Sequence, residues 1–150
     1  MEAESYSDQE IADYINQNFV PLEAHIKEHP AYFKRFEAVW TPTILVMDPA
    51  GVERYRIEGY LPKDWFRGRL EMGRARVAFM HKKFADAQQI YADVANRVGG
   101  LAVAAEAIYW RDVCKYKATN DHTVLGVAAK ELAERFPNDE WRLKSLPWAH

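Results

Sequence analysis

Trp40-Thr41-Pro42-Thr43-Ile44-Leu45-Val46-Met47-Asp48-Pro49-Ala50-Gly51-Val52-Glu53-Arg54-Tyr55-Arg56-Ile57-Glu58-Gly59 is the stretch that decides how this chain is read. Ile44 to Met47 is an unbroken apolar run, short enough for a buried strand. Asp48-Pro49-Ala50-Gly51 is turn chemistry, because proline presets φ and glycine accepts a positive φ without cost. Val52 to Ile57 is a second strand, and Gly59 closes it. Strands at about 43–48 and 52–58 with a tight turn between them make a β-hairpin. An aromatic residue and Thr-Pro-Thr lead into it, and Leu61-Pro62-Lys63-Asp64 opens a helix behind it.

On the N-terminal side, Ser7-Asp8-Gln9-Glu10 has the form of a capping box, with Ser7 at the cap and Glu10 three residues on. Ile11, Tyr14, Ile15 and Asn18 follow at helical spacing, which predicts a short amphipathic helix over 8–18. Phe19 to Ile26 reads as a strand, and Pro21 near its start suits an edge or an irregular entry. His29-Pro30 breaks the chain, and a short helix over 31–36 carries Tyr32, Phe33 and Phe36.

On the C-terminal side the period changes to helical throughout. Phe66, Leu70, Gly73, Val77 and Met80 mark one apolar stripe along a helix over 63–80. Phe84, Ala87, Tyr91 and Val94 mark a helix over 84–97, ended by Gly99-Gly100. Further helices are expected at 102–118 and 121–136, with Pro137 beyond, and a short one at 139–146. The fold class is α/β in the mixed α+β sense: a small sheet in the first half and antiparallel helical hairpins in the second. The division expected is 1–72 and 73–150, with the long helix common to both and no flexible linker.

Composition narrows the function. The chain has 150 residues, 49% of them hydrophobic and 28% charged, and a net charge of −2. That balance gives no general attraction to nucleic acid or to an anionic membrane. No apolar run approaches the roughly 20 residues of a membrane span. The acidic, polar start, Met1 to Glu10, is unlike a secretory signal, so the cytoplasm is the expected location. One cysteine, Cys114, excludes an intrachain disulfide, a dithiol redox pair and a cysteine-rich zinc site.

Thr41-Pro42-Thr43 before a buried strand, the hairpin leading to Gly59, and the run from Met1 through Asn18-Phe19-Val20-Pro21-Leu22 together resemble the thioredoxin-like family over about residues 1–72. The N-terminal run is similar to the segment that follows the active-site cysteines in bacterial thioredoxin-like proteins. The resemblance implies a cis-proline at Pro42 and a Cys-x-x-Cys pair upstream, which this sequence does not contain. It also implies a central strand between 19–26 and 43–48 that this chain lacks, leaving an open sheet edge. Either the neighbouring strands close up and pair directly or another chain supplies the hydrogen bonds; a homodimer is expected, with exchange of elements between subunits as one form of it. In the second half, Phe84, Ala87 and Tyr91, then Tyr109, Tyr116, Leu125, Leu132 and Pro137, resemble degenerate tetratricopeptide hairpins.

Trp40, Thr41, Pro42 and Thr43 are the candidate peptide-binding residues, since in the family the backbone before the proline pairs with an extended segment. The bland reading is a turn that positions Trp40. Cys114 is a candidate thiol, but a mid-helix cysteine with no helix N-terminus nearby is ordinarily buried and inert. His25 and His29 with Glu23 and Glu28 lie on a strand and a break, so surface histidines are expected rather than a metal site. Arg67, Arg69, Arg74 and Arg76 scatter around the long helix and read as a solvated face. Among Trp65, Trp110, Trp141 and Trp148, the last, beside Pro147, is the candidate partner contact. No cofactor is implied. The function expected is a non-catalytic thioredoxin-like protein that binds polypeptide or itself. The alternative is a thiol-disulfide oxidoreductase whose strand and cysteine pair are missing from this chain.

Overall fold

The computed structural model describes residues 7–97 and 102–149. The Met1–Tyr6 part of the N-terminal resemblance and the Gly99-Gly100 helix end lie outside the described residues.

Helix α1, Gln9–Asn18, buries Ile11 and Tyr14. Its cap is Asp8 rather than the expected Ser7: the Asp8 carboxylate accepts from the amides of Glu10 at 2.9 Å and Ile11 at 3.2 Å. Glu10 does not fold back as a capping box requires. It pairs instead with Lys63 and Arg67, each at 2.9 Å, so cations from a distant helix decide which residue caps this one.

The expected strand over 19–26 does not form. Phe19 leaves α1 with extended backbone (φ −135°, ψ 162°), but the segment pairs with no strand, and Val20 and Leu22 are 98% and 81% exposed. A strand exists only through its neighbour, and the one sheet among the described residues holds two strands that pair with each other. Helix α2, Pro30–Arg35, starts on a proline, whose missing N–H costs nothing at that position, and buries none of its residues.

Strand β1, Thr43–Met47, pairs antiparallel with β2, Glu53–Glu58, with Thr43 opposite Glu58, Ile44 opposite Ile57, Leu45 opposite Arg56 and Val46 opposite Tyr55. The register slips between Val46 and Met47, where the turn begins. Asp48 builds that turn. Its buried Oδ1 accepts from the amides of Ala50 and Val52 at 2.9 and 3.0 Å, while Oδ2 takes Arg54 at 3.0 Å. Gly51 sits at φ 79°, the left-handed conformation a side chain would resist.

Helix α3, Lys63–Met80, is the spine. One face, with Phe66 and Leu70, packs on Ile11, Tyr14, Val46 and Ile57. The other, with Met72 and Ala75, joins Ala87, Tyr91, Val94, Val103, Ile108, Cys114 and Leu132 in a second core. The stripe expected from sequence therefore marks only one of two buried faces, and Met80, at its end, is 46% exposed. Helices α4, Phe84–Arg97, α5, Ala102–Thr119, and α6, Thr123–Arg135, follow, then α7, Glu140–Lys144, and a 3₁₀ turn, Leu146–Trp148. The structure is a mixed fold: seven α-helices and a two-stranded antiparallel sheet among the described residues.

Two surface readings change on folding. The arginines of α3 are not a solvated face. Arg69 bonds Tyr55 Oη at 2.9 Å and Glu106 at 3.2 Å, Arg76 lies 4.4 Å from the Trp110 ring centre, and Arg74 reaches Tyr14 Oη at 3.3 Å. Burial pushes the Glu106 carboxyl above its ordinary range, against the pull of Arg69. Trp148 is half-buried rather than fully exposed, because it stacks on Tyr109 at 4.4 Å and packs against the helical core.

Candidate functional site

The peptide bond Thr41–Pro42 is cis. The loop that carries it is pinned from both ends. Gly59 donates its amide to the Pro42 carbonyl at 2.8 Å, which extends the hairpin ladder one step past β1. The Thr43 hydroxyl donates to the Trp40 carbonyl at 2.6 Å. On the upstream side, Arg56 of β2 donates to the carbonyls of Phe36 and, at 3.3 Å, Glu37, and the Ala38 amide donates to Phe33 O at 2.9 Å. Glu37 stands at φ 50°, an uncommon value for a residue with a side chain, and turns the chain toward Val39.

The result is an ordered loop with an apolar, unshielded tip. Val39 is 82% and Trp40 68% exposed, and Thr41 is exposed as well. No hydrogen bond among the described residues uses the Thr41 N–H or C=O. The strand beyond it has one paired edge. Since Pro42 O bonds Gly59, Ile44 and Val46 direct their backbone groups toward β2 by alternation, and Thr43 and Leu45 direct theirs to the unpaired side. Trp40, Thr41, Pro42 and Thr43 therefore sit together at one end of an open sheet edge, with donors and acceptors spaced for an added strand.

Cys114 lies elsewhere. It is buried on α5 within the helical core, whereas the strand after Pro42 packs in the other cluster. Burial pushes its thiol up to about 12. His29 stacks on Tyr32 at 5.5 Å, and no group of three or more His, Cys, Asp or Glu among the described residues is placed to hold a metal ion. No helix among them is long and apolar enough to cross a membrane.

Residues 1–74, which hold the cis-proline loop and the hairpin, match the family model of a thioredoxin-like domain. No curated protein and no solved structure matches the chain. Sequence reasoning located the proline loop. It missed Arg56 as the clamp on that loop, for which the only signal was an arginine placed opposite Leu45 in the hairpin register.

Proposed function

We propose that this protein is a non-catalytic interaction module: a thioredoxin-like domain over residues 1–72 that receives an extended polypeptide along β1, backed by tetratricopeptide-like hairpins over 73–150. The observation that carries the reading is the unpaired Thr41 backbone beside exposed Trp40, at the end of an open strand edge. Main-chain pairing would supply affinity, and Trp40 an apolar anchor. A second copy of the chain satisfies the same edge, which makes a homodimer the simplest occupant. The small-and-aromatic pattern Ala87 and Tyr91, both buried where α4 meets the helical core, supports the hairpin reading of the second half.

Light scattering after gel filtration tests the proposal. At micromolar concentration we expect a dimer, and Trp40→Ala or Val39→Lys shifts it toward monomer. A wild-type monomer that also captures no strand from a library of extended peptides overturns the reading. The second reading, a thiol-disulfide oxidoreductase whose cysteine pair is missing from this chain, rests on the same family match. Its mark would be insulin reduction, and the one sulfur of cysteine present is buried in the helical core.

A further inference from the structure

We infer that the polar cleft between α1, α3 and α4 is a binding site for a small oxyanion. The cleft has a volume of about 610 Å³ and lies where the thioredoxin-like half meets the helical half. Arg67, Glu71 and Arg74 recur at helical spacing and share one face of α3. Tyr14 approaches from α1, and Arg97 from the last turn of α4.

One guanidinium of this cleft, that of Arg74, has no carboxylate partner among the described residues. Glu71, nearly buried, takes Arg97 on one carboxylate oxygen and lies 3.7 Å from Arg67 Nε on the other. Arg67 spends a further donor on Glu10 at 2.9 Å. Asp93, the second acid lining the cleft, accepts from Gln89 at 3.0 Å and pairs with no cation among the described residues. Three guanidiniums line the cleft with the carboxylates of Glu71 and Asp93, and Glu10, from outside the lining, pairs with Arg67. Arg74 is the uncompensated one: its polar partner is the Tyr14 hydroxyl at 3.3 Å, and it forms no ion pair among the described residues. A guanidinium has five N–H donors, so most of those on Arg74 remain available. Arg67 Nε is buried without a hydrogen-bond partner among the described residues, and the exposed side-chain amides of Gln17 and Asn96 line the same cleft.

Burial first, and Arg67 beside it second, hold the Arg97 guanidinium below its ordinary value, while Tyr14, Glu10 and Asp64 pull the other way. An oxyanion seated against Arg74, within reach of the two amides, gives that guanidinium the anionic partner it lacks. Guanidinium recognises phosphate and carboxylate by the same paired N–H geometry, so the shared chemistry is the oxyanion and its source is decided by experiment.

The test is a two-dimensional amide NMR titration of the whole protein, with inorganic phosphate in one arm and acetate in the other, each at constant ionic strength against chloride. We expect saturable shifts confined to the α1 C-terminus, the 67–74 face of α3 and the end of α4. Arg74→Gln weakens binding by about tenfold or more, while Trp40→Ala titrates like the wild type, which separates this site from the strand edge. Saturation by phosphate alone assigns a phosphate-bearing ligand, and saturation by acetate alone a carboxylate; either supports the inference. Absence of saturation in both arms overturns it, and so do shifts spread evenly over other surface arginines. The wild-type shift map decides the question alone if Arg74→Gln fails to fold.

Discussion

Gly73 on α3 lies so close against Val46 on β1 that a Cβ at Gly73 would stand 2.6 Å from Val46 Cγ2 and 3.0 Å from Val46 Cβ. This is where the spine helix meets the strand behind Pro42, and glycine is what allows the approach. Alanine would gain about 1 kcal/mol of helix propensity at this position. Rotating Val46 cannot relieve the 3.0 Å contact, because Cβ is fixed to the strand backbone. Overpacking of this kind costs about 1–3 kcal/mol. Gly73→Ala is therefore expected to destabilise by up to about 2 kcal/mol in urea unfolding. In the background of Val46→Ala, which removes Cγ1 and Cγ2 but keeps the 3.0 Å contact to Cβ, the same change should cost less. Additive effects in that double-mutant cycle would show that the contact is not what keeps residue 73 a glycine.

Asp48 gives the fold an acid-sensitive turn. The Val52 amide holds its carboxyl below the ordinary 3.8, burial opposes, and His81, Arg54 and Ala50 add to the lowering. A carboxyl depressed in the folded state contributes stability above its unfolded value and loses it as pH falls through the folded one. Asp48→Asn keeps an oxygen for the two turn amides but gives up the charge facing Arg54. The variant is expected to melt below the wild type at pH 7, with the gap closing as pH drops through and below 3.8. Parallel melting curves at every pH would contradict this.

Cys114 is predicted to be silent toward thiol reagents in the native protein. With the thiol pushed up to about 12, only about one molecule in 10⁴ is a thiolate at pH 8. Labelling by iodoacetamide should proceed only as fast as the helical core opens, and denaturant should accelerate it. Cys114→Ser places a hydroxyl among Tyr91, Val94 and Ile108 and should cost about 1–3 kcal/mol. Rapid labelling of the folded chain would mean that the α5 core is not closed around this residue.

What the sequence makes legible is what neighbours along the chain decide. Pro49 and Gly51 fix a turn within four residues, so the hairpin can be read with its ends within a residue of those observed. The long helix shows its length in the same way. The misread features all depend on partners remote in sequence. The 19–26 segment has strand-like composition, yet no strand forms because no described backbone pairs with it. Ser7 and Asp8 are equivalent caps locally, and the choice falls to Asp8 because Lys63 and Arg67 occupy Glu10. The arginines scattered around α3 read as solvated, since nothing in the helix reveals that Glu106, Tyr14 and Trp110 wait on three sides of it. The stacking of Trp148 is hidden for the same reason, its partner Tyr109 being on another helix.

Arg56 is the residue on which the proline loop depends. Its guanidinium spans the carbonyls of Phe36 and Glu37, and Glu53 steadies it from the same strand at 2.9 Å. A planar fork can hold two carbonyls at once, whereas an ammonium acts as a point donor. Arg56→Gln should therefore release the loop while leaving the hairpin paired. In hydrogen exchange, the Ala38 amide, bonded to Phe33 O, should lose protection, and the amides of Ile44 and Val46 should keep theirs. Arg56→Lys should fall between wild type and glutamine. The proposed strand capture should weaken in the same order, because Trp40 and Thr41 lose the fixed position from which they meet a partner. If exchange instead rises equally in the loop and the ladder, Arg56 holds the hairpin together as a whole and the loop has no separate clamp.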